Sequence, residues 1–355
     1  MGEIMKRLTV LLMTAVFSLS VLMGCGAAEG TDDSQSVSQT APSENEEKTQ
    51  NGAAEGENAD ADAAAGDGTV YKIGIIQYTQ HDALDAANAG FLAALDDAGL
   101  NYVVDQQNAS GDQTACQTIS EKLVNDNDDL ILAIATPAAQ AVVGVTTEIP
   151  VLVTAVTDPA ESGLVASNDA PGGNVSGTSD LTPVKEQIEL LTKLLPDVKK
   201  VGILYCSAES NSKIQGNMAV DACKEAGLET EVYTVAGSNE IQQVVESMVG
   251  KVDCIYAPTD NIIAAGMATV GMVATENNLP VICGEEGMVN EGGLATYGIN
   301  YYQLGYMTGE MAVDILVNGK NVGEIPIGYL SADQCEFTGN EETAAALGVD
   351  LSVVE

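Results

Sequence analysis

Tryptophan is absent from this 355-residue chain, phenylalanine occurs three times and histidine once. Cations are scarce as well: 13 Lys and Arg face 52 Asp and Glu, a formal net charge of -39. So acidic a chain has no basic face for nucleic acid or anionic lipid head groups. The single histidine, His81, has no evident nucleophile beside it in the sequence, which argues against catalysis. The seven cysteines show no C-x-x-C or metal-type spacing, so neither a metal nor a cofactor is expected. Cys206, Cys254 and Cys283 lie in or beside apolar runs (VGILYC, VDCIY, PVICG), where cysteine packs as a small hydrophobe. For the six cysteines other than Cys25, thiol and disulfide both stay open. Sugar sites often sandwich a ring between aromatic faces. With Phe17 near the N-terminus and Phe91 on a helix face, the platforms left are Tyr78, Tyr205 and Tyr297, which weakens a sugar reading.

A long apolar run is also missing. Leu8 to Val21 is too short for a stable membrane span, and it follows Lys6 and Arg7. Residues 1–24 therefore read as an export signal. Its close, Leu22-Met23-Gly24-Cys25, resembles the bacterial lipoprotein cleavage box, which implies lipidation of Cys25. An ordinary secretory signal with a chance cysteine is the alternative. Residues 25–69 are rich in Ala, Gly, Ser, Asp and Glu. Such a segment cannot bury enough apolar surface to offset its chain entropy, and it reads as a disordered acidic tether. The remainder, from Val70, is long enough for two domains.

What the chain does contain is one plan written twice. Lys72-Ile73-Gly74-Ile75-Ile76 is echoed by Lys200-Val201-Gly202-Ile203-Leu204, and Ala98-Gly99-Leu100 by Ala226-Gly227-Leu228. Ala135-Thr136-Pro137 pairs with Ala257-Pro258-Thr259, Ile149-Pro150-Val151-Leu152 with Leu279-Pro280-Val281-Ile282, and Gly172-Gly173 with Gly292-Gly293. Short β-branched runs (KIGII, DLILAIA, PVLVTAV) alternate with stretches of helical period, such as Asp82 to Leu95 closed by Gly99. Strands alternating with helices in this way give α/β lobes, each a doubly wound parallel sheet.

In an open parallel sheet, ligands bind beyond the carboxyl ends of the strands. The loops at those ends are polar: Gln77, Tyr78 and His81 in the first; Thr136, Pro137 and Ala138 in the next; then Thr157 and Asp158. The second copy supplies Ser207, Ser210 and Asn211, then Thr259, Asp260 and Asn261, then Glu285. These fifteen residues are the candidate ligand contacts. For an amino-acid zwitterion, helix N-termini near Thr136 and Ser210 or Asn211 would take the carboxylate. Asp260 is the first choice for the ammonium, with Asp158 and Glu285 next. Each has a plainer role: Asp158 before Pro159 as a turn former, Asp260 as the N-cap of a helix over Asn261 to Thr275, and His81 as a helix start. Asp180 reads as hinge rather than contact.

The loops ATPAAQA, TDP and GTSDLTP, in this order, resemble the ABC transporter substrate-binding family of the periplasmic-binding-protein type I fold, whose members include tryptophan- and tyrosine-binding lipoproteins. The resemblance covers Val70 to Glu355. It implies two similar lobes joined by a multi-strand hinge, the N-terminal lobe from 70–178 with 299–320 and the C-terminal lobe from 179–298 with 321–355. It implies crossings near Gly177 to Thr182 and Gly298 to Tyr302, and a helix from Tyr302 to Val317. It implies binding of a small solute, an aromatic amino acid favoured, by hinge closure, and delivery to an ABC permease with its ATPase subunits. The chain would be a monomer outside the cytoplasm, held to the membrane by its lipid alone, and not an enzyme. The alternatives are a ligand-sensing lipoprotein feeding a receptor, sugar or nucleoside binding, and a two-lobed isomerase using Cys206 and Cys283.

Overall fold

The computed structural model describes residues 68–331 and 334–354; the expected export signal over 1–24, Cys25 and nearly all of the expected tether lie outside them. The first copy of the repeat runs β1 (Tyr71–Gln77), α1 (Asp82–Asp97), β2 (Tyr102–Asn108), α2 (Gln113–Asn125), β3 (Leu130–Ile134), α3 (Thr136–Val143), β4 (Val151–Val156) and β5 (Val175–Ser179). The second runs α4 (Val184–Leu194), β6 (Lys200–Cys206), α5 (Ser210–Glu225), β7 (Glu229–Val235), α6 (Ile241–Met248), β8 (Cys254–Ala257), α7 (Asn261–Ala265), α8 (Met267–Glu276), β9 (Val281–Cys283), α9 (Glu286–Asn290) and β10 (Ala295–Gly298). The chain ends with α10 (Tyr301–Leu316), β11 (Gly328–Tyr329), β12 (Glu336–Gly339) and α11 (Glu341–Leu347).

These strands form two six-stranded sheets of matching order, β11-β5-β4-β3-β1-β2 and β12-β10-β9-β8-β6-β7. Each strand of the first five maps onto the strand five later, so the sequence repeat is a repeat of topology. Pairing is parallel except at the edge, where β12 runs antiparallel to β10. β1, β3, β4, β6, β8 and β9 are almost wholly buried because helices cover both faces, which is why they read as continuous apolar runs.

The Ala-Gly-Leu echo has a local cause. After α1, Gly99 sits at φ 65° and its N–H donates to Asp96 O, while Leu100 N–H donates to Leu95 O. After α5, Gly227 at φ 78° donates to Lys224 O and Leu228 to Cys223 O. Both are the paired-bond helix stop that requires a left-handed residue, and glycine fits it without a Cβ penalty.

The expected helix from Asn261 to Thr275 is instead two, α7 and α8, divided at Gly266. Gly266 lies at φ -108° and ψ 11°, off the helical values on either side, and a Cβ there would meet Ile241 Cδ1 of α6. The helix after the second crossing starts at Tyr301, one residue earlier than expected, capped by Asn300 accepting from Gln303 N–H. α10 packs on α1, β4 and β5 of the first lobe. Its backbone comes so near α1 that a Cβ on Gly90 would run into Tyr302 O, and one on Gly305 into Ala87 O.

The tail differs from the expectation. Rather than joining the second lobe from Asn321, it continues along the first: Gly172 N–H donates to Gly323 O, Ile327 N–H to Asn168 O, and β11 pairs with β5. Only beyond Tyr329 does it cross to place β12 beside β10. The unpaired edge of β5 is the physical reason, since it offers backbone groups that a neighbouring strand satisfies.

Five of the cysteines, Cys116, Cys206, Cys223, Cys254 and Cys283, are buried as free thiols, and Cys335 is half-buried. Among the described residues no helix is long and apolar enough to cross a membrane.

Candidate functional site

In both sheets the chain order doubles back beside the first strand, between β1 and β3 and between β6 and β8. Loops beyond the strand ends diverge there and leave a crevice. The two crevices face each other. Between them lies an enclosed cavity lined by His81, Leu84, Ala155 and Asp180 on one side, by Asn211, Thr259, Asp260, Asn261, Ala264 and Glu285 on the other, and by Tyr301 at the hinge. The free space is about 10 Å³, on the order of one water molecule. An amino acid must therefore part the rims to enter. Larger cavities of about 570 and 560 Å³ lie on the second lobe, one at the amino ends of β6, β8 and β9 and the other beside α4.

The rims are held together by polar contacts. Gln215 of α5 donates to Thr157 Oγ1 of the first lobe at 2.9 Å and also to Thr259 Oγ1. Gln140 Nε2 reaches Ser210 Oγ at 3.2 Å, Gln113 Nε2 reaches Ala208 O at 3.0 Å, and His81 Nε2 lies 3.3 Å from Asn261 Oδ1. At the hinge, the Tyr301 hydroxyl donates to Asp180 Oδ2 at 2.9 Å, tying the strand crossing after β5 to the one after β10.

Six of the fifteen candidate residues line the cavity: His81, Asn211, Thr259, Asp260, Asn261 and Glu285. The others stand around it. Gln77 donates to Thr79 O and Asp85 Oδ1 and so shapes the loop. Tyr78 is buried and its hydroxyl donates to Gly111 O. Thr136, Pro137 and Ala138 begin α3 and are buried, with Thr136 Oγ1 lacking a protein partner. Thr157 is the rim partner of Gln215. Ser207 is exposed and bonds Val235 O, and Ser210 is exposed on the rim. Asp158 takes the turn role: one carboxylate oxygen accepts from Ala160 N–H, Glu161 N–H and Asn168 Nδ2.

Asp260 caps α7, as its plainer role had it. One carboxylate oxygen accepts from Ile263 N–H at 2.8 Å and the other from Cys206 N–H at 2.6 Å. Glu285 is similarly engaged by Gly287 and Met288 N–H. The sequence reading missed Glu209, which is 1% exposed and accepts from Ile262 N–H and from the side chains of Asn211 and Asn261. It also placed Asp180 as hinge alone, yet Asp180 lines the cavity and its Oδ1 has no protein partner. Asp180 follows β5, a buried strand whose sequence, VSGTS, is mostly polar, so the apolar-run signal did not mark it; Tyr301, far along the chain, carried none.

Four carboxyl groups thus meet in a dry region with no Lys or Arg among the cavity-lining residues. Burial pushes Asp180 up to about 6 against the pull of the Tyr301 hydroxyl, and Glu285 up to about 7. Glu209 is pushed up to about 8 by burial and then by the neighbouring Asp260, which burial raises as well. Burial holds the His81 imidazole below its ordinary value, and so neutral. Asp180 Oδ1, Asn211 Oδ1 and His81 Nδ1 are buried without protein partners. All three are acceptors once the Asn211 amide nitrogen is spent on Glu209. The cavity therefore asks its ligand for donors and positive charge.

Backbone strain concentrates at the same place. Ala135, just before α3, has φ 79° and ψ 151°, and the cavity-lining Ala155 has φ 54°. Non-glycine residues held in such conformations cluster at ligand sites.

The ABC transporter substrate binding protein family matches residues 72–353. The chain belongs to this family. Substrate-binding proteins of ABC transporters are extracytoplasmic. A tyrosine-binding protein of Clostridioides difficile (strain R20291) is 41% identical over 346 residues, covering 96% of this chain and 92% of that protein. Among solved structures, an ABC domain from Streptococcus pneumonia in complex with L-Trp superposes with TM-score 0.77 at 37% identity, over 81% of this chain and 98% of that one. A ligand-free, open substrate-binding protein with adhesive properties from Clostridium difficile is 44% identical, yet its TM-score is 0.61, over 79% and 95%. The more similar sequence superposes less well, so the lobes of this substrate-binding protein are set more as in the L-Trp complex than as in the open form. Cys206 and Cys283, which an isomerase would use, line no part of its cavity; burial pushes Cys206 up to about 12 and raises Cys283 as well. Both thiols stay protonated.

Proposed function

We propose that this chain binds an aromatic amino acid between its lobes and delivers it to an ABC permease driven by ATPase subunits. The observation that carries the reading is the set of unpartnered acceptors, above all Asp180 Oδ1, in a cavity lined by acids and apolar groups and by no Lys or Arg. The α-ammonium of the ligand seats against Asp180, beside Tyr301 and Asn211. This role moves from Asp260, whose oxygens are already engaged. The carboxylate lies toward the N-termini of α3 and α5, which approach each other across the cleft, with the Thr136 hydroxyl as donor. Leu84, Ala155 and Ala264 leave an apolar region for the side chain. The tyrosine-binding relative and the L-Trp complex support this ligand class.

The ligand favours closure because it meets acceptors from both lobes only when they come together. Residues 70–178 with α10 and β11 act as one lobe and the rest as the other. Export through residues 1–24, lipidation at Cys25 and the tether of 25–69 hold the monomer near the membrane. Thermal unfolding against the twenty amino acids, sugars and nucleosides tests the ligand class. At a hundred times Kd the true ligand stabilises by ~2.7 kcal/mol. A shift confined to aromatic amino acids fits the reading; a shift only with sugars or nucleosides sinks the amino-acid site. A Cys25→Ala variant that stays in the membrane fraction would sink the anchor.

A further inference from the structure

We propose that His81 reads the ring end of the ligand: its Nδ1 accepts a hydrogen bond from a donor on the aromatic side chain, so the site selects aromatic amino acids carrying a ring O–H or N–H and rejects those without one. The inference rests on the reading of the cleft as an aromatic amino-acid site.

Three side chains in series set the tautomer. Glu209 Oε2 accepts from Asn261 Nδ2 at 2.5 Å, while Oε1 accepts from Ile262 N–H at 3.1 Å. With its nitrogen committed to Glu209, Asn261 presents its Oδ1 to His81 Nε2, 3.3 Å away. An amide oxygen only accepts, so Nε2 carries the proton. In a neutral imidazole the other nitrogen is then a lone-pair acceptor. Nδ1 is buried and has no protein partner. Burial keeps the ring neutral, outweighing Asn261 and the acidic Asp85 and Asp82 of α1; Asp260 and Glu285 are the acidic groups that line the cavity across the cleft, with Glu209 behind Asn261.

The setting fits a ring with one polar atom. His81 stands just before α1 and Leu84 lies three residues on; Asn261 and Ala264 have the same spacing on α7. Residues three apart in a helix share a face, as Asn261 and Ala264 do; His81 is extended, before the helix, and lines the cavity together with Leu84. Each rim therefore presents one polar and one apolar group to the cavity. Asp180, the acceptor proposed for the ammonium, is bound to Tyr301 at the hinge, so the charged head and the ring donor have different acceptors. A ligand lacking the ring donor leaves Nδ1 buried and unpaired, and sites built to bond a substrate O–H or N–H discriminate strongly on that ground.

The test is calorimetric titration of the full chain and of His81→Leu with L-tyrosine, L-tryptophan and L-phenylalanine. Wild type is expected to bind tyrosine and tryptophan at least about fivefold more tightly than phenylalanine, with the ratio falling below about twofold in the variant. Taking the ratio within one protein cancels any loss of folding or closure common to all three ligands. Equal wild-type affinities for tyrosine and phenylalanine overturn the proposal, as does a ratio that survives in His81→Leu. Because the chain has a single histidine, ¹⁵N-histidine labelling reads the same point without mutation. The free protein should show the Nε2–H tautomer, with Nδ1 shifting on tyrosine and not on phenylalanine. An Nδ1–H tautomer overturns it. If phenylalanine discrimination fails while tyrosine still binds, the aromatic site stands and only the role of His81 is lost. If none of the three binds, that site falls and His81's role with it.

Discussion

Replacing Asp180 by asparagine should stabilise the ligand-free protein and weaken its ligand. The wild-type carboxyl is 5% exposed and burial pushes it from 3.8 up to about 6. The folded chain then holds a proton that the unfolded chain has lost between those values, so its stability falls as pH rises through that window. Stability is fully present below pH 3.8 and the loss is complete above about 6. At ~1.36 kcal/mol per pH unit the ionised side chain costs ~3 kcal/mol, an order-of-magnitude figure. Asparagine keeps an acceptor for the Tyr301 hydroxyl and cannot ionise. Glu209 and Glu285 titrate in both proteins, so their effects largely cancel in the difference. Equilibrium urea unfolding at pH 5, 6.5 and 8 should show the two proteins nearer together at pH 5. By pH 8 the variant should lead by up to ~3 kcal/mol, several degrees in Tm. With saturating L-tyrosine at pH 8 the lead should shrink or reverse, because only the aspartate pairs with the ammonium. A variant less stable than wild type at pH 8, or a gap that does not change with pH, would refute the argument that this carboxylate is dry and short of a partner.

Three further outcomes follow from the geometry. Gln215→Leu removes the side chain that joins Thr157 to Thr259 across the cleft; small-angle scattering should show a larger radius of gyration and titration a several-fold weaker ligand, and an unchanged radius would argue that the strap does not hold the rims. Ala135→Gly relieves a backbone at φ 79°, ψ 151° that costs on the order of 1–3 kcal/mol in any residue with a Cβ; Tm should rise, and a fall would show that the conformation is not strained. Gly305→Val drives side-chain atoms into the α1 backbone at Ala87 O, and unfolding should show a loss of roughly 3 kcal/mol or more. A soluble variant of wild-type stability would mean α1 and α10 are packed less closely than described.

The repeat, the alternation of strand and helix, and the helix stops at Gly99 and Gly227 were legible in the amino-acid sequence. These are written in local terms: apolar period, capping and the left-handed residue act within about four positions, and duplicated text repeats them. It also located the rim loops, because strand ends in a parallel sheet are where loops must carry function. Which rim side chains face the cavity depends on packing between distant segments. Asp260 looked like the free acid but spends its oxygens on Cys206 and Ile263, whereas Asp180 keeps one oxygen open and bonds Tyr301, 121 positions away. Glu209 became part of the site only when α5 and α7 brought it against Asn261, 52 positions on. The pairing of β11 with β5 likewise depends on the open edge of a sheet. Hydrogen-bond partners drawn from distant segments leave no periodic trace. The chain announced a cleft, and packing chose the atoms that face it.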